Sequence, residues 1–173
     1  SQAQNLEQQS SVQHTNTQIS NGRQTAITRA VQKVSPAVVS ITVTEVVQGG
    51  RRLAFDEYYN RFFSVPIERE VSSMGSGFII SKDGLIVTNQ HVANQNAKKV
   101  VVSLPEGSQY EAKVLGADEL ADLALLKIQA DRDFPTVEFG DSDSVVVGEW
   151  SLAVGNPFGL FEAAQPSVTV GVV

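Results

Sequence analysis

The chain has 173 residues, of which 42% are hydrophobic, enough for one sizeable packed core and too apolar for a wholly disordered polymer. Thirteen Lys and Arg against nineteen Asp and Glu leave a formal charge of −6, which does not suggest a surface built to neutralise phosphates, and nucleic acid is not an expected partner. With no cysteine there is no disulfide, thiolate metal site or Cys nucleophile, and the apolar runs fall far short of a membrane span.

Residues 1–23 are rich in Gln, Ser, Thr and Asn and read as a disordered polar linker, either a tether or simply an untidy terminus. Apolar Ala26, Ile27, Ala30, Val31 and Val34 space a short amphipathic helix, which Pro36 terminates. Residues 38–47 (VVSITVTEVV) are β-branched and predict a strand. Residues 49–73 form a long insertion in which Phe55, Tyr58, Tyr59, Phe62 and Phe63 stand among charges. A short helix packed on the body is expected there, with a regulatory or oligomer-contact loop as the alternative.

From Gly75 the pattern changes to closely spaced strands. Residues 78–81 and 85–88 flank Asp83-Gly84, a hairpin signal. Residues 99–104 and 110–115 flank a turn at Pro105-Glu106-Gly107, and strands at 123–128 and 136–139 follow. Residues 139–147 read as a connector; residues 149–154 and 167–173 read as the first strands of a second module. Such short strands indicate a β-barrel or sandwich. In Gly155-Asn156-Pro157-Phe158-Gly159, the proline and glycines favour a structural turn.

Few residues can carry chemistry. His91 closes a predicted strand, where an imidazole could serve as general base or be merely structural. His14, the other histidine, lies in the polar tail, and two histidines so placed do not suggest a metal site. Asp122 opens an apolar strand; it could orient a histidine, or cap the strand as Asp118 or Glu119 could. Ser76 in Gly75-Ser76-Gly77 precedes a strand and lacks a nucleophile-elbow pattern. Asp141 and Asp143 alternate with serines but lack the other ligands of a calcium loop, so a connector turn is expected.

The motifs GSGFIISKDGLIVTNQHVA, DLALLKI, VGEW and LAVGNPFGL, in this order from Gly75 to Val173, resemble the HtrA/Deg family of trypsin-like serine proteases. Two departures stand out: Gln90 where Asn is frequent, and a longer stretch at 161–166. The resemblance implies an all-β, trypsin-like double β-barrel with a short N-terminal helix. Its first barrel would be complete within residues 24–139 and its second partial within 140–173. It implies a serine endopeptidase that degrades unfolded or damaged proteins in the bacterial periplasm or cell envelope. The partners would be unfolded polypeptides and further copies of the chain, as a trimer, with no cofactor. His91 would be the general base and Asp122 its orienting acid. The nucleophilic serine of a Gly-Asn/Asp-Ser-Gly-Gly stretch is not among the 173 residues, so the chain alone is expected to be inactive. A non-catalytic, chaperone-like binding scaffold is the alternative.

Overall fold

The computed structural model describes residues 25–155 and 166–173. The polar segment 1–23 with His14, and most of the turn at 155–159, lie outside the described residues.

Helix α1 spans Ala26–Val34. The Thr25 hydroxyl accepts a hydrogen bond from the Thr28 N–H at 3.2 Å, satisfying one of the first-turn donors. The helix stops one residue before the Ser35–Ala37 3-10 turn, which contains Pro36, as the sequence predicts.

Six antiparallel strands form a closed barrel in the order β1-β2-β3-β6-β5-β4. They are β1 (Val38–Asp56), β2 (Arg61–Ile79), β3 (Leu85–Thr88), β4 (Ala97–Ser103), β5 (Gln109–Asp118) and β6 (Leu123–Ile128). Strand β1 closes the barrel by pairing with both β2 and β4. Side chains alternate as a one-sided strand requires: Val39, Ile41 and Val43 of β1 point into the core. Ile86 of β3, Val102 of β4 and Leu126 and Ile128 of β6 meet them, all buried. Register is thereby fixed, because a one-residue slip would turn this apolar set to water.

Residues 49–73 are not a helix packed on the body. Strands β1 and β2 continue past the barrel as a two-stranded ribbon, with Phe55 opposite Phe62 and Asp56 opposite Arg61. The Asp56 carboxylate accepts from the N–H groups of Tyr58 and Tyr59, at 3.0 and 3.1 Å, and Asn60 adopts a left-handed φ of 48°. This turn sets aromatic residues three and four apart on either side of a hairpin, the spacing a helix would also give. A bulge between Gln48 and Arg51, where Gly50 has φ 112°, bends the ribbon. Its aromatic residues are exposed; the Phe55 and Phe62 rings pack in a tilted arrangement with centroids 5.0 Å apart.

The hairpin around Asp83-Gly84 is as predicted. Gly84 has φ 90°, where a side chain is strained, and a Cβ there would crowd Ile128 Cβ at 3.1 Å and the buried Phe134 ring at 3.2 Å. Lys127 of β6 reaches over to the Asp83 carboxylate at 2.7 Å. The expected strand at 136–139 is no ladder member: a bond from the Val137 N–H to the Ile79 carbonyl, at 3.0 Å, ties that extended segment to β2. In the connector, Ser142–Ser144 form a 3-10 turn whose Asp143 N–H is received by the Asp141 side chain. Asp141 thus caps a turn, and no cluster of three or more metal-ligating side chains occurs among the described residues. Strands β7 (Trp150–Gly155) and β8 (Ser167–Val172) pair antiparallel in a separate two-stranded sheet.

Candidate active site

Strand β3 ends at the buried Thr88, whose hydroxyl donates to the Ser76 carbonyl at 2.8 Å. The chain then makes one tight turn. The N–H groups of Val92 and Ala93 both donate to the Asn89 carbonyl, at 3.1 and 3.2 Å. Val92 and Ala93 bury themselves in the barrel, and this turns His91 outward with its side chain 68% exposed.

Thirty-one residues later the β5–β6 turn delivers Asp122. The Asp118 carboxylate accepts from the N–H groups of Leu120 and Ala121, shaping that turn. Asp122 itself has φ 50°, a left-handed geometry that aspartate tolerates better than most residues. Strands β3 and β6 are neighbours, with Thr88 opposite Ala124, so the two turns emerge side by side at one end of the barrel.

There the sequence-designated residues meet. His91 Nδ1 lies 2.8 Å from Asp122 Oδ2 and 3.0 Å from Oδ1, while the His91 main-chain N–H donates to Oδ1 at 3.0 Å. The Asn89 side-chain amide donates to Asp122 Oδ2 at 3.1 Å and to the Asp122 main-chain carbonyl at 3.2 Å. The bond from the His91 main-chain N–H holds the Asp122 carboxyl below the usual carboxylate range. Partial desolvation opposes that shift, and the His91 ring and the Asn89 amide add to it. A carboxylate on Nδ1 favours the tautomer with its proton there, leaving Nε2 with a lone pair. Asn89 carries no signal of this role in the sequence, because its partner is 33 residues away.

Next to this pair an open, largely apolar cleft of about 300 Å³ is lined by Val38, Phe78, Val87, Thr88, Asn89, Leu123 and Val154, with Ser76 and Gly77. Thr88 and Asn89 lead directly to His91, and Leu123 follows Asp122. Ser76 lies within β2, opposite Ser40 of β1, and not on a strand-to-helix turn.

A closed antiparallel barrel that brings a histidine and an aspartate together at one end is an arrangement of trypsin-like peptidases. The chain belongs to that family: the model of the trypsin-like peptidase domain matches residues 75–173. More particularly, it is similar to DegP-like and HtrA-type proteins. It is 47% identical over 125 residues to a probable periplasmic serine endoprotease, DegP-like, of Chlamydia muridarum; the match covers 68% of this chain and 24% of that protein. It is 44% identical over 154 residues to the putative serine protease HhoB of a Synechocystis strain, covering 85% of this chain and 35% of the relative. A solved HtrA-type protease with a decapeptide superposes with a TM-score of 0.70 at 33% identity, over 86% of this chain and 45% of that one. The chain therefore spans only about a quarter to a third of the curated relatives it matches. No helix among the described residues is long and apolar enough to cross a membrane.

Proposed function

We propose that these residues supply the general base and the orienting acid of a serine endopeptidase. The observation that carries the reading is the 2.8 Å contact between His91 Nδ1 and Asp122 Oδ2 on an exposed barrel end. Asp122 holds the imidazole in the tautomer whose Nε2 can take a proton from a serine hydroxyl as that oxygen attacks a peptide carbonyl. The imidazolium so formed is stabilised by the carboxylate and returns the proton to the leaving amine. Water, activated by the same nitrogen, then releases the acyl group. The 173 residues hold no Gly-Asn/Asp-Ser-Gly-Gly stretch, so the reading assigns them two members of the triad and no nucleophile.

Division of the chain into a polar linker at 1–23, a helix-and-barrel module at 24–139 and the first strands of a second barrel at 140–173 is part of this reading. The names of the relatives support a periplasmic or envelope setting. Unfolded polypeptides are the proposed substrates, and a trimer the proposed assembly.

Cleavage of an unfolded substrate such as casein tests the proposal. With the product of the complete gene, His91→Ala should abolish turnover, and Asp122→Asn should lower it by about four orders of magnitude through the wrong tautomer. The 173 residues alone should show no hydrolysis that depends on His91. Full turnover by the His91→Ala protein would sink the reading; no turnover by the parent protein would favour a binding scaffold.

A further inference from the structure

We propose that Asn89 is a positioning residue of this site, a clamp that fixes the Asp122 carboxylate against His91 Nδ1. The inference rests on the reading above and goes beyond it by adding a residue that acts through Asp122.

The geometry is specific. Both partners of the Asn89 side chain, Asp122 Oδ2 at 3.1 Å and the Asp122 main-chain oxygen at 3.2 Å, are acceptors. Only the NH2 end of the amide can serve them, so its orientation follows from chemistry. Holding the main-chain oxygen and the carboxylate of the same residue from one nitrogen limits rotation about the Asp122 side-chain bonds. It also supports the left-handed backbone at φ 50°, which sets the direction in which that side chain leaves the chain.

Asn89 acts on the other partner as well. Its main-chain carbonyl receives the Val92 and Ala93 N–H groups, at 3.1 and 3.2 Å, and so closes the turn that presents His91. One residue therefore sets the histidine through its backbone and the aspartate through its side chain. Without the amide, the carboxylate keeps the His91 main-chain N–H on Oδ1 as its anchor. Oδ1 stays within reach of Nδ1, at 3.0 Å, but the shorter contact through Oδ2 is no longer fixed, and the carboxylate can swing about that anchor.

The test reads the imidazole directly. In the 173-residue chain, ¹⁵N NMR of the ring nitrogens reports the tautomer of neutral His91, and His14, far along the sequence, serves as the internal reference. The parent chain should hold the proton mainly on Nδ1. Asn89→Ala and the isosteric, acceptor-only Asn89→Asp should shift the Nδ1–H to Nε2–H ratio at least about threefold toward Nε2–H. Circular dichroism should stay unchanged and the His14 signals should not move. Parental ratios in both folded variants would overturn the clamp and leave the His91–Asp122 pair intact. A parent chain already mainly Nε2–H would overturn the pair itself, and the clamp with it. Loss of the fold in both variants would place Asn89 in the architecture and overturn the positioning role.

Discussion

Gly75 offers the most exacting test of how the barrel holds this site. A Cβ at Gly75 would lie 2.5 Å from both methyls of Val92 and 3.1 Å from its Cβ. Carbon atoms prefer about 3.5–4.0 Å, so both methyls are about 1 Å too close. Rotating Val92 cannot clear the clash, since its own Cβ stays within reach and its χ1 is stiff. The turn bearing Val92, and with it His91, must move. Such overpacking costs about 1–3 kcal/mol. Alanine recovers about 0.4–1 kcal/mol by restricting the unfolded chain, so Gly75→Ala should lose about 1–2 kcal/mol. Val92→Ala alone removes two buried methyls, at about 0.8 kcal/mol each plus a cavity contribution, for a loss of about 2–3 kcal/mol. In the double variant the new methyl enters the vacated space. Its loss should match that of Val92→Ala alone, giving a favourable coupling of about 1–2 kcal/mol. Urea unfolding of the four proteins, followed by circular dichroism with m held constant, measures the cycle. Additive losses, within about 0.5 kcal/mol, would refute the claim that Gly75 is there to admit Val92.

Acid should weaken the fold. Asp122, Asp83 and Glu70 are held below their usual range, by the His91 backbone N–H, by a Lys127 hydrogen bond and by a Lys98 hydrogen bond respectively. A depressed carboxylate contributes stability that is present above its unfolded pKa of about 4 and is lost as pH falls through its folded value. Unfolding midpoints measured between pH 7 and 2 should therefore fall below about pH 4, and Asp83→Asn should flatten that slope; an unchanged slope would discount the Lys127 bond. The ribbon, by contrast, should be dispensable to the barrel. Replacing residues 52–65 with Asn-Gly joins the paired Arg51 and Pro66 through a two-residue loop and removes side chains such as Leu53 and Phe62, 73% and 68% exposed. Stability should change by no more than about 1 kcal/mol, and a loss above about 2 kcal/mol would show that the ribbon supports the core.

Local chemistry alone determined much of this protein. The β-branched alternation of β1, the Asp83-Gly84 hairpin, β6 at Leu123–Ile128 and the end of α1 before Pro36 follow from side-chain shape and backbone preference over a few residues. The order of motifs around His91 and Asp122 carried the family resemblance, which the trypsin-like match over residues 75–173 bears out. The ribbon departs from the helix its sequence suggests because a four-residue turn between paired strands gives aromatics the same three-and-four spacing as a helix. Only cross-strand pairing, such as Phe55 with Phe62, distinguishes the two. The segment 136–139 has strand-like composition, yet it joins no ladder: the Val137 N–H bonds the Ile79 carbonyl just past the point where β1 pairing with β2 begins, at Val38 opposite Phe78. The pairing of His91 with Asp122 was legible only through the resemblance; its geometry, and the Asn89 amide that holds Asp122, belonged to the tertiary structure. They depend on β3 lying beside β6, and hydrogen bonds across some thirty residues leave no periodicity in the sequence to read.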